Sequence, residues 1–232
     1  MTIASITSIR IAIAAVCGVL AGCAEPGAPI RHYVIDTTEQ RGTVRQASAQ
    51  DGPIIAVAPV ALPEYLNQNG ILTRNSRNEI VRSESHVWAG PLSEEIGRAV
   101  AENLSALLPT DRVTLGAVRR ILPVDYTVDI EIVQFERTEA TNAVDLVARW
   151  VVFRGDERTV LAMRRSQLHT PVAGTEYQDT AAAMSDALGA LSEEIASAIM
   201  QTRDRRKSDR LSAERMSRNQ GGNGGAAPAR RR

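Results

Sequence analysis

Two neighbouring segments, Asp125–Glu136 (DYTVDIEIVQFE) and Ala143–Phe153 (AVDLVARWVVF), decide the fold of this chain. In both segments apolar residues recur at every second position, which is the period of a strand with one buried face. A short polar loop around Glu139 separates them and is long enough to reverse the chain direction. The two segments therefore predict a β-hairpin.

The side chains of the two strands also predict how they pair. In the favourable register, apolar residues meet on one face and opposite charges meet on the other. That register pairs Ile130 with Trp150, Glu131 with Arg149, and Ile132 with Ala148.

Two segments outside the hairpin have the period of an amphipathic helix. Pro91–Leu108 begins with proline at a first-turn position and repeats apolar residues every three or four positions. Tyr177–Thr202 has the same spacing, with Met184 and Ile199 near the two ends of its apolar face. We expect both segments to cover the apolar face of a sheet.

The other β-rich segments are short, and two of them flank a turn-forming tetrad, Asn75–Asn78. They predict a second hairpin, in which the outer edge of Ile71–Arg74 is available to a neighbouring strand. Many strands and only two helices predict an α+β fold: a mostly antiparallel sheet with two amphipathic helices packed on one face. The predicted short strands are His32–Asp36, Ile54–Val60, Ile71–Arg74, Glu79–Arg82 and Arg158–His169.

The sheet face opposite the helices carries apolar residues among charged ones. Strict alternation places there Val133, Phe135, Val147, Val151, Phe153, Leu161 and Met163. Such a face is either a partner-binding or lipid-contacting surface or an ordinary solvent-exposed face with some apolar residues.

Charge divides the chain of 232 residues into an acidic body and a basic tail. The whole sequence is neutral, with 27 basic and 27 acidic residues, so no global field favours nucleic acid as a partner. Arg203–Arg232 has a net charge of +7 and ends in glycine clusters and three arginines, which predicts a disordered tail. The folded domain is expected within residues 32–202.

The first 23 residues have the pattern of an export signal that ends at a lipidated cysteine. Ile11–Leu20 is an apolar run of ten residues, shorter than the about 20 that cross a bilayer as a helix. Leu20-Ala21-Gly22-Cys23 matches the bacterial lipobox, so residues 1–22 are expected to be removed and Cys23 to be acylated. Residues 23–31 then form a short tether. Ala24 after the cysteine favours the periplasmic face of the outer membrane over the inner membrane.

The sequence offers little catalytic chemistry. Its three histidines, His32, His86 and His169, lack the paired spacing of a metal site, and no nucleophile-elbow, zinc-protease or phosphate-loop motif occurs. We therefore predict no cofactor and no enzyme. The remaining catalytic hypothesis is a hydrolase in which His86, near Trp88, acts as a general base.

Three short motifs occur in a characteristic order. They are Leu62-Pro63-Glu64-Tyr65-Leu66, then Ile71-Leu72-Thr73-Arg74, then Trp88-Ala89-Gly90-Pro91-Leu92. With the helix at 181–196, this series resembles the PqiC-type, or ABC-type transport auxiliary, lipoprotein family over roughly residues 33–202. Gly90 departs from the pattern, because an acidic residue is expected there, and the arginine-rich tail lies outside it.

The resemblance implies a membrane-anchored, non-catalytic subunit of a lipid transport system. Such a protein works with an MCE-domain protein that bridges the periplasm and helps to maintain the outer membrane; a homo-oligomer is left open. The residues implied in partner binding are Tyr65, Leu66, Arg74, Trp88 and Pro91. For Trp88, packing in the core is the alternative role.

A second functional hypothesis stays open beside this one. The protein would then be a structural lipoprotein of the cell envelope that binds the cell wall or anionic lipid through its basic tail. Loss of wall association on removal of Arg203–Arg232 would distinguish it from a transport subunit.

Overall fold

The computed structural model describes residues 28–37, 52–116, 123–155 and 159–221. The chain separates into two units, residues 1–30 and residues 31–232. Of the first unit only residues 28–30 are described, and they are exposed coil. The proposed signal peptide and Cys23 lie outside the described residues, as do the turn at residue 156 and the end of the tail.

The second unit contains eight strands and two α-helices in the described residues. In chain order they are β1 (Arg31–Tyr33), β2 (Ile55–Val57), β3 (Gly70–Ser76), β4 (Glu79–Trp88), α1 (Leu92–Leu107), β5 (Val113–Leu115), β6 (Tyr126–Thr138), β7 (Ala143–Arg154), β8 (Thr159–Pro171) and α2 (Tyr177–Gly221). Short 3₁₀ turns occupy Glu64–Leu66 and Glu139–Thr141.

The fold class is α+β, but the sheet is mixed, so the expectation of a mostly antiparallel sheet is wrong. Four pairings, β1–β4, β2–β5, β2–β6 and β3–β6, are parallel. Three longer pairings, β3–β4, β6–β7 and β7–β8, are antiparallel. Hairpins between consecutive strands are visible in the sequence. The parallel pairings join strands far apart along the chain, and three of the four involve a three-residue strand, so a local pattern does not reveal them.

The expected register of the central hairpin is confirmed. Strand β6 pairs with β7 so that Ile130 faces Trp150, Glu131 faces Arg149 and Ile132 faces Ala148. The register then shifts by one residue between Ile132 and Gln134, which marks a β-bulge.

The bulge reverses which residues of β6 face the core. After it, Phe135 lies opposite Leu146 and is only 1% exposed, so its expected position on the opposite face is wrong. Glu136 correspondingly turns to the other face, where its side chain is nevertheless buried. One extra residue in a strand changes the facing of every residue after it, because the side-chain period is two.

The second hairpin is confirmed, with Ser76 paired to Glu79 across a turn at Arg77 and Asn78. The expected free edge on Ile71–Arg74 is wrong. Thr73 and Arg74 pair with β4 on one side and with β6 on the other, so this part of β3 is an inner strand.

Helix α1 begins and ends within one residue of the expected bounds, and its apolar positions are buried. It contacts α2, and both helices join the alternate buried residues of β6 and β7 in one continuous core. Within this helix pair, the buried side-chain amide of Asn103 donates a hydrogen bond to the Ser192 hydroxyl.

Helix α2 does not end at Thr202, the end that the apolar spacing predicts, but continues to Gly221. Between Gly189 and Gly221 the sequence contains no glycine and no proline, and residues 203–220 include six arginines together with single lysine, leucine, alanine, glutamate, methionine and glutamine residues. These residue types favour a helix even where no apolar face exists.

Candidate partner-binding site

Tyr65 and Arg74, two of the expected partner-binding residues, meet at the carboxylate of Glu136. The Arg74 Nε and Nη2 atoms donate to Glu136 Oε1 at 2.8 and 2.6 Å. The Tyr65 hydroxyl donates to Glu136 Oε2 at 3.0 Å. We call these three residues the Tyr65 cluster.

The Tyr65 cluster closes the β-bulge of β6. The Phe135 backbone N–H, next to the bulge, donates to Glu136 Oε2 at 3.0 Å. The Val133 carbonyl oxygen lies 3.5 Å from the Tyr65 hydroxyl. A bulge interrupts the hydrogen bonding between two strands and leaves backbone N–H and C=O groups without a strand partner. Here the side chains of the cluster approach two such groups, the Phe135 N–H and the Val133 carbonyl oxygen.

The local backbone positions Tyr65 and Arg74 beside Glu136. Pro63 has an extended conformation and precedes the 3₁₀ turn that carries Tyr65. Just before this turn, Ala61 forms a parallel bridge with Glu131 of β6, so the turn lies beside β6. Arg74 arrives on β3, whose parallel register places it opposite Thr138.

The charged groups of this cluster are largely removed from water. The Glu136 side chain is completely buried, and the Arg74 side chain is 23% exposed. A buried carboxylate is costly unless a charge and hydrogen-bond donors compensate it. Arg74 supplies the charge, while Tyr65 and the Phe135 backbone supply the remaining donors.

The pKa values of Tyr65 and Arg74 reflect the burial of the cluster and the charge of Glu136. Burial, and then the neighbouring charge of Glu136, raise the pKa of Tyr65 far above its usual value near 10. Burial alone would lower the pKa of Arg74, but the hydrogen bonds and charge of Glu136 outweigh it and raise that pKa. Tyr65 is therefore a neutral donor and Arg74 a cation at neutral pH.

Leu66 and Trp88 lie in the hydrophobic core, 2% and 4% exposed. Leu66 follows Tyr65 in the same turn, so its burial fixes the backbone that presents the tyrosine. Trp88 ends β4 and pairs with Tyr33. Both residues have the packing role, and any effect on a partner would pass through the residues they position.

Pro91 is exposed and is the N-cap of α1. Its carbonyl oxygen accepts the backbone N–H groups of Glu94 and Glu95 at 2.9 and 3.1 Å. Gly90 precedes it, and a β-carbon at that position would lie 3.5 Å from Glu95 Oε1. The acidic side chain expected at position 90 would therefore stand beside another carboxylate in this protein.

His86 belongs to an aromatic cluster. Its ring stacks on Tyr177 with centroids 4.0 Å apart, and its Nδ1 lies 2.8 Å from the Tyr33 hydroxyl. These contacts join β1, β4 and the start of α2, which gives His86 a packing role.

Two further features bear on function. Among the residues described, no group of three histidine, cysteine, aspartate or glutamate side chains could hold a metal ion. No helix in the described ranges combines the length and hydropathy needed to cross a membrane.

Comparison with known proteins assigns the family. The model of the ABC-type transport auxiliary lipoprotein component family matches residues 33–196, most of the chain. This chain belongs to that family. The matched span contains both hairpins, the Tyr65 cluster and Pro91, and within it α2 up to Ala196.

A curated relative of this transport auxiliary lipoprotein is the intermembrane transport lipoprotein PqiC of Escherichia coli. The two are 32% identical over 90 residues, which cover 39% of this chain and 47% of PqiC. The chain thus matches about half the length of this relative. The PqiC of Shigella flexneri matches to the same extent.

Two crystal structures share the fold. One, of a Xanthomonas campestris protein, has a TM-score of 0.62 at 19% identity and covers 78% of this chain and 99% of its own. The other has a TM-score of 0.60 at 20% identity, with 74% and 99% covered.

Sequence reasoning missed Glu136, the centre of the site. A signal was present: Ile132 and Val133 are adjacent apolar residues, and after them the apolar positions change from even to odd numbers. Such a change of phase inside a strand is typical of a one-residue bulge.

Proposed function

We propose that this auxiliary lipoprotein is a non-catalytic subunit of an intermembrane lipid transport system. It is anchored by acylated Cys23 to the periplasmic face of the outer membrane, and it binds an MCE-domain protein. The family match over residues 33–196 carries the proposal, and the similarity to PqiC, an intermembrane transport lipoprotein, supports it.

The anchor supports this role because it limits where the domain can be. Each buried methylene of an acyl chain contributes about 0.8 kcal/mol, so two or more chains hold a protein on a bilayer. A tether of residues 23–31 spans at most about 30 Å when extended. Anchoring therefore raises the local concentration of the domain for a partner that reaches the same membrane.

The residues that follow the tether are held firmly in the folded domain. The tether enters the domain at β1, which pairs with β4. The next residues are fixed to the helices: the Ile35 side chain is buried, its carbonyl accepts from Arg98 Nη2 at 2.7 Å, and the Asp36 N–H donates to the Ser185 hydroxyl.

We assign the partner contact to the exposed parts of Tyr65 and Arg74 and, at the start of α1, to Pro91, with Leu66 and Trp88 as buried support in the core. The hydrogen bonds of the Tyr65 cluster hold Arg74 in one conformation, which lowers the entropy lost when a partner contacts it. The exposed fraction of the Arg74 side chain is the part available to a carboxylate on the partner.

Binding to a purified periplasmic MCE-domain protein tests the proposal, with the auxiliary lipoprotein immobilised through its anchor in a supported bilayer. Arg74→Met should weaken binding at least about tenfold, since a charge is lost in the contact. Arg82→Met is the matched control, because Arg82 is an exposed arginine of the same hairpin whose guanidinium donates a hydrogen bond to Gln68 and lies outside the Tyr65 cluster. Equal affinities of all three proteins would contradict the assignment.

The second candidate function, attachment to the cell wall or to anionic lipid, rests on the basic tail. Its supporting observation is that α2 continues as a helix beyond the packed body to Gly221. Deletion of residues 203–232 should leave MCE binding intact under the first proposal and abolish wall association under the second.

A further inference from the structure

Strand β8 is an edge strand with unusual exposure. In the described part of the chain it pairs with β7 alone. Its 13 residues include Val160 and Met163, which are 50% and 68% exposed. Long edges that carry exposed apolar side chains tend to accept another strand.

A groove runs beside this edge, between the backbone of Leu161–Arg164 and the last packed turn of α2. The helical wall consists of Ala198, Gln201 and Thr202. The groove has a volume of about 160 Å³ and is open to solvent. An edge strand beside a helix is the geometry that binds extended peptides by strand addition.

Two arginines of β8 project to opposite faces of the sheet. Arg164 lies opposite Trp150, on the helix side, and its guanidinium stands 5.8 Å from the Trp150 ring centroid. Arg165 lies opposite Arg149 on the other face. Each arginine is exposed.

The charge on the outer face is not balanced. Glu131 forms an ion pair with Arg149 at 3.3 Å, but Arg165, in the next strand of the same row, has no ion pair within the described ranges. Like charges directly opposite one another in a sheet are unfavourable. A carboxylate placed beyond Arg165, on a strand added to β8, would give Arg165 an opposite charge in the same row, as Glu131 does for Arg149.

We propose that β8 and the adjoining turn of α2 bind an extended segment of a partner protein by strand addition. The segment has small polar side chains at every second position, which enter the mostly polar groove, and carboxylates between them, which face Arg165. Strands β6 and β7 separate β8 from β3, and β7 separates it from β6, which carries Glu136, so this site contains no residue of the Tyr65 cluster.

Two synthetic octapeptides test the proposal on the full chain in detergent. The first alternates threonine and aspartate, and the second alternates threonine and lysine. Fluorescence anisotropy should show saturable binding of the aspartate peptide and at least about tenfold weaker binding of the lysine peptide. In the amide NMR spectrum, the aspartate peptide should shift signals of Leu161–Gln167.

Arg165→Glu provides the decisive variant. It should reverse the preference, so that the lysine peptide binds about tenfold more tightly than the aspartate peptide. The variant is expected to fold, because it replaces the like-charge pair of Arg149 and Arg165 with an opposite-charge pair. Arg82→Glu, an exposed arginine on β4 outside the groove, should leave both affinities unchanged.

Several outcomes would overturn the proposal. They are no saturable binding of the aspartate peptide, an unchanged preference in Arg165→Glu, and an equal effect of Arg82→Glu. Concentration-dependent dimerisation that Arg165→Glu abolishes would also overturn it, because a second copy would then occupy the edge. Failure here would not affect the MCE-binding proposal, since Arg165 is not part of that surface.

Discussion

Removal of the Arg74 charge should expose how much the domain depends on its buried ion pair. The variant Arg74→Met keeps most of the side-chain stem but removes both hydrogen bonds to Glu136 Oε1. It leaves a completely buried carboxylate with only the Tyr65 hydroxyl and the Phe135 N–H as donors.

The expected magnitude follows from burial. Breaking a buried ion pair by removing one partner costs about 3–5 kcal/mol. Arg74 is 23% exposed, so water can reach part of the vacated space. We therefore expect a loss of about 3 kcal/mol in the free energy of unfolding, at the lower end of that range.

A double-mutant cycle separates the pair from other effects of the substitution. Glu136→Gln should cost about 1–2 kcal/mol, because the glutamine keeps its size and the remaining charge, on Arg74, is partly exposed. The double variant should be more stable than the sum of the single losses predicts, with a coupling of about 1–2 kcal/mol.

Urea unfolding followed by circular dichroism measures all four proteins, and Arg82→Met is the control, with an expected change within about 0.5 kcal/mol. Two results would refute the reasoning. One is a loss below about 1 kcal/mol for Arg74→Met, and the other is strict additivity of the two single losses.

Three further predictions address other parts of the molecule. Tyr65→Phe should cost about 1–2 kcal/mol through the unsatisfied Glu136 and bulge groups. Because the pKa of Tyr65 is raised, its contribution to the unfolding free energy should be constant below about pH 10 and fall as pH rises further, so the fall above about pH 10 should be smaller in the variant than in the wild type. Cys23→Ala should release the protein from membranes into the soluble periplasmic fraction, and a variant that still sediments with membranes would show that the lipobox assignment is wrong. His86→Ala should lower the free energy of unfolding by about 1 kcal/mol through loss of the stack on Tyr177; detection of a hydrolytic activity that the substitution removes would instead restore the enzyme hypothesis.

The parts of the fold that sequence predicts well are those in which neighbours along the chain also pair. The register of Ile130 with Trp150 follows from two alternating patterns joined by a short loop, and α1 follows from a strong apolar period and Pro91. The parallel pairing of β2 with β6 could not be predicted, because three residues carry no measurable period.

The site was predictable in part. The family motifs singled out Tyr65 and Arg74, but nothing in those motifs says that both residues face the same carboxylate. That meeting depends on the bulge after Ile132 and on the parallel contact of β3 with β6, which are tertiary features. The extension of α2 was missed for a different reason: a helix without an apolar face has no period to detect.

Reconstituted lipid transfer tests the central claim most directly. Donor liposomes would carry the MCE-domain protein with its ABC transporter, acceptor liposomes would carry the acylated auxiliary lipoprotein, and a fluorescent phospholipid would report transfer. We predict that transfer depends on the anchored protein and falls when soluble Cys23→Ala protein replaces it. Transfer at the same rate without the auxiliary lipoprotein would contradict the claim.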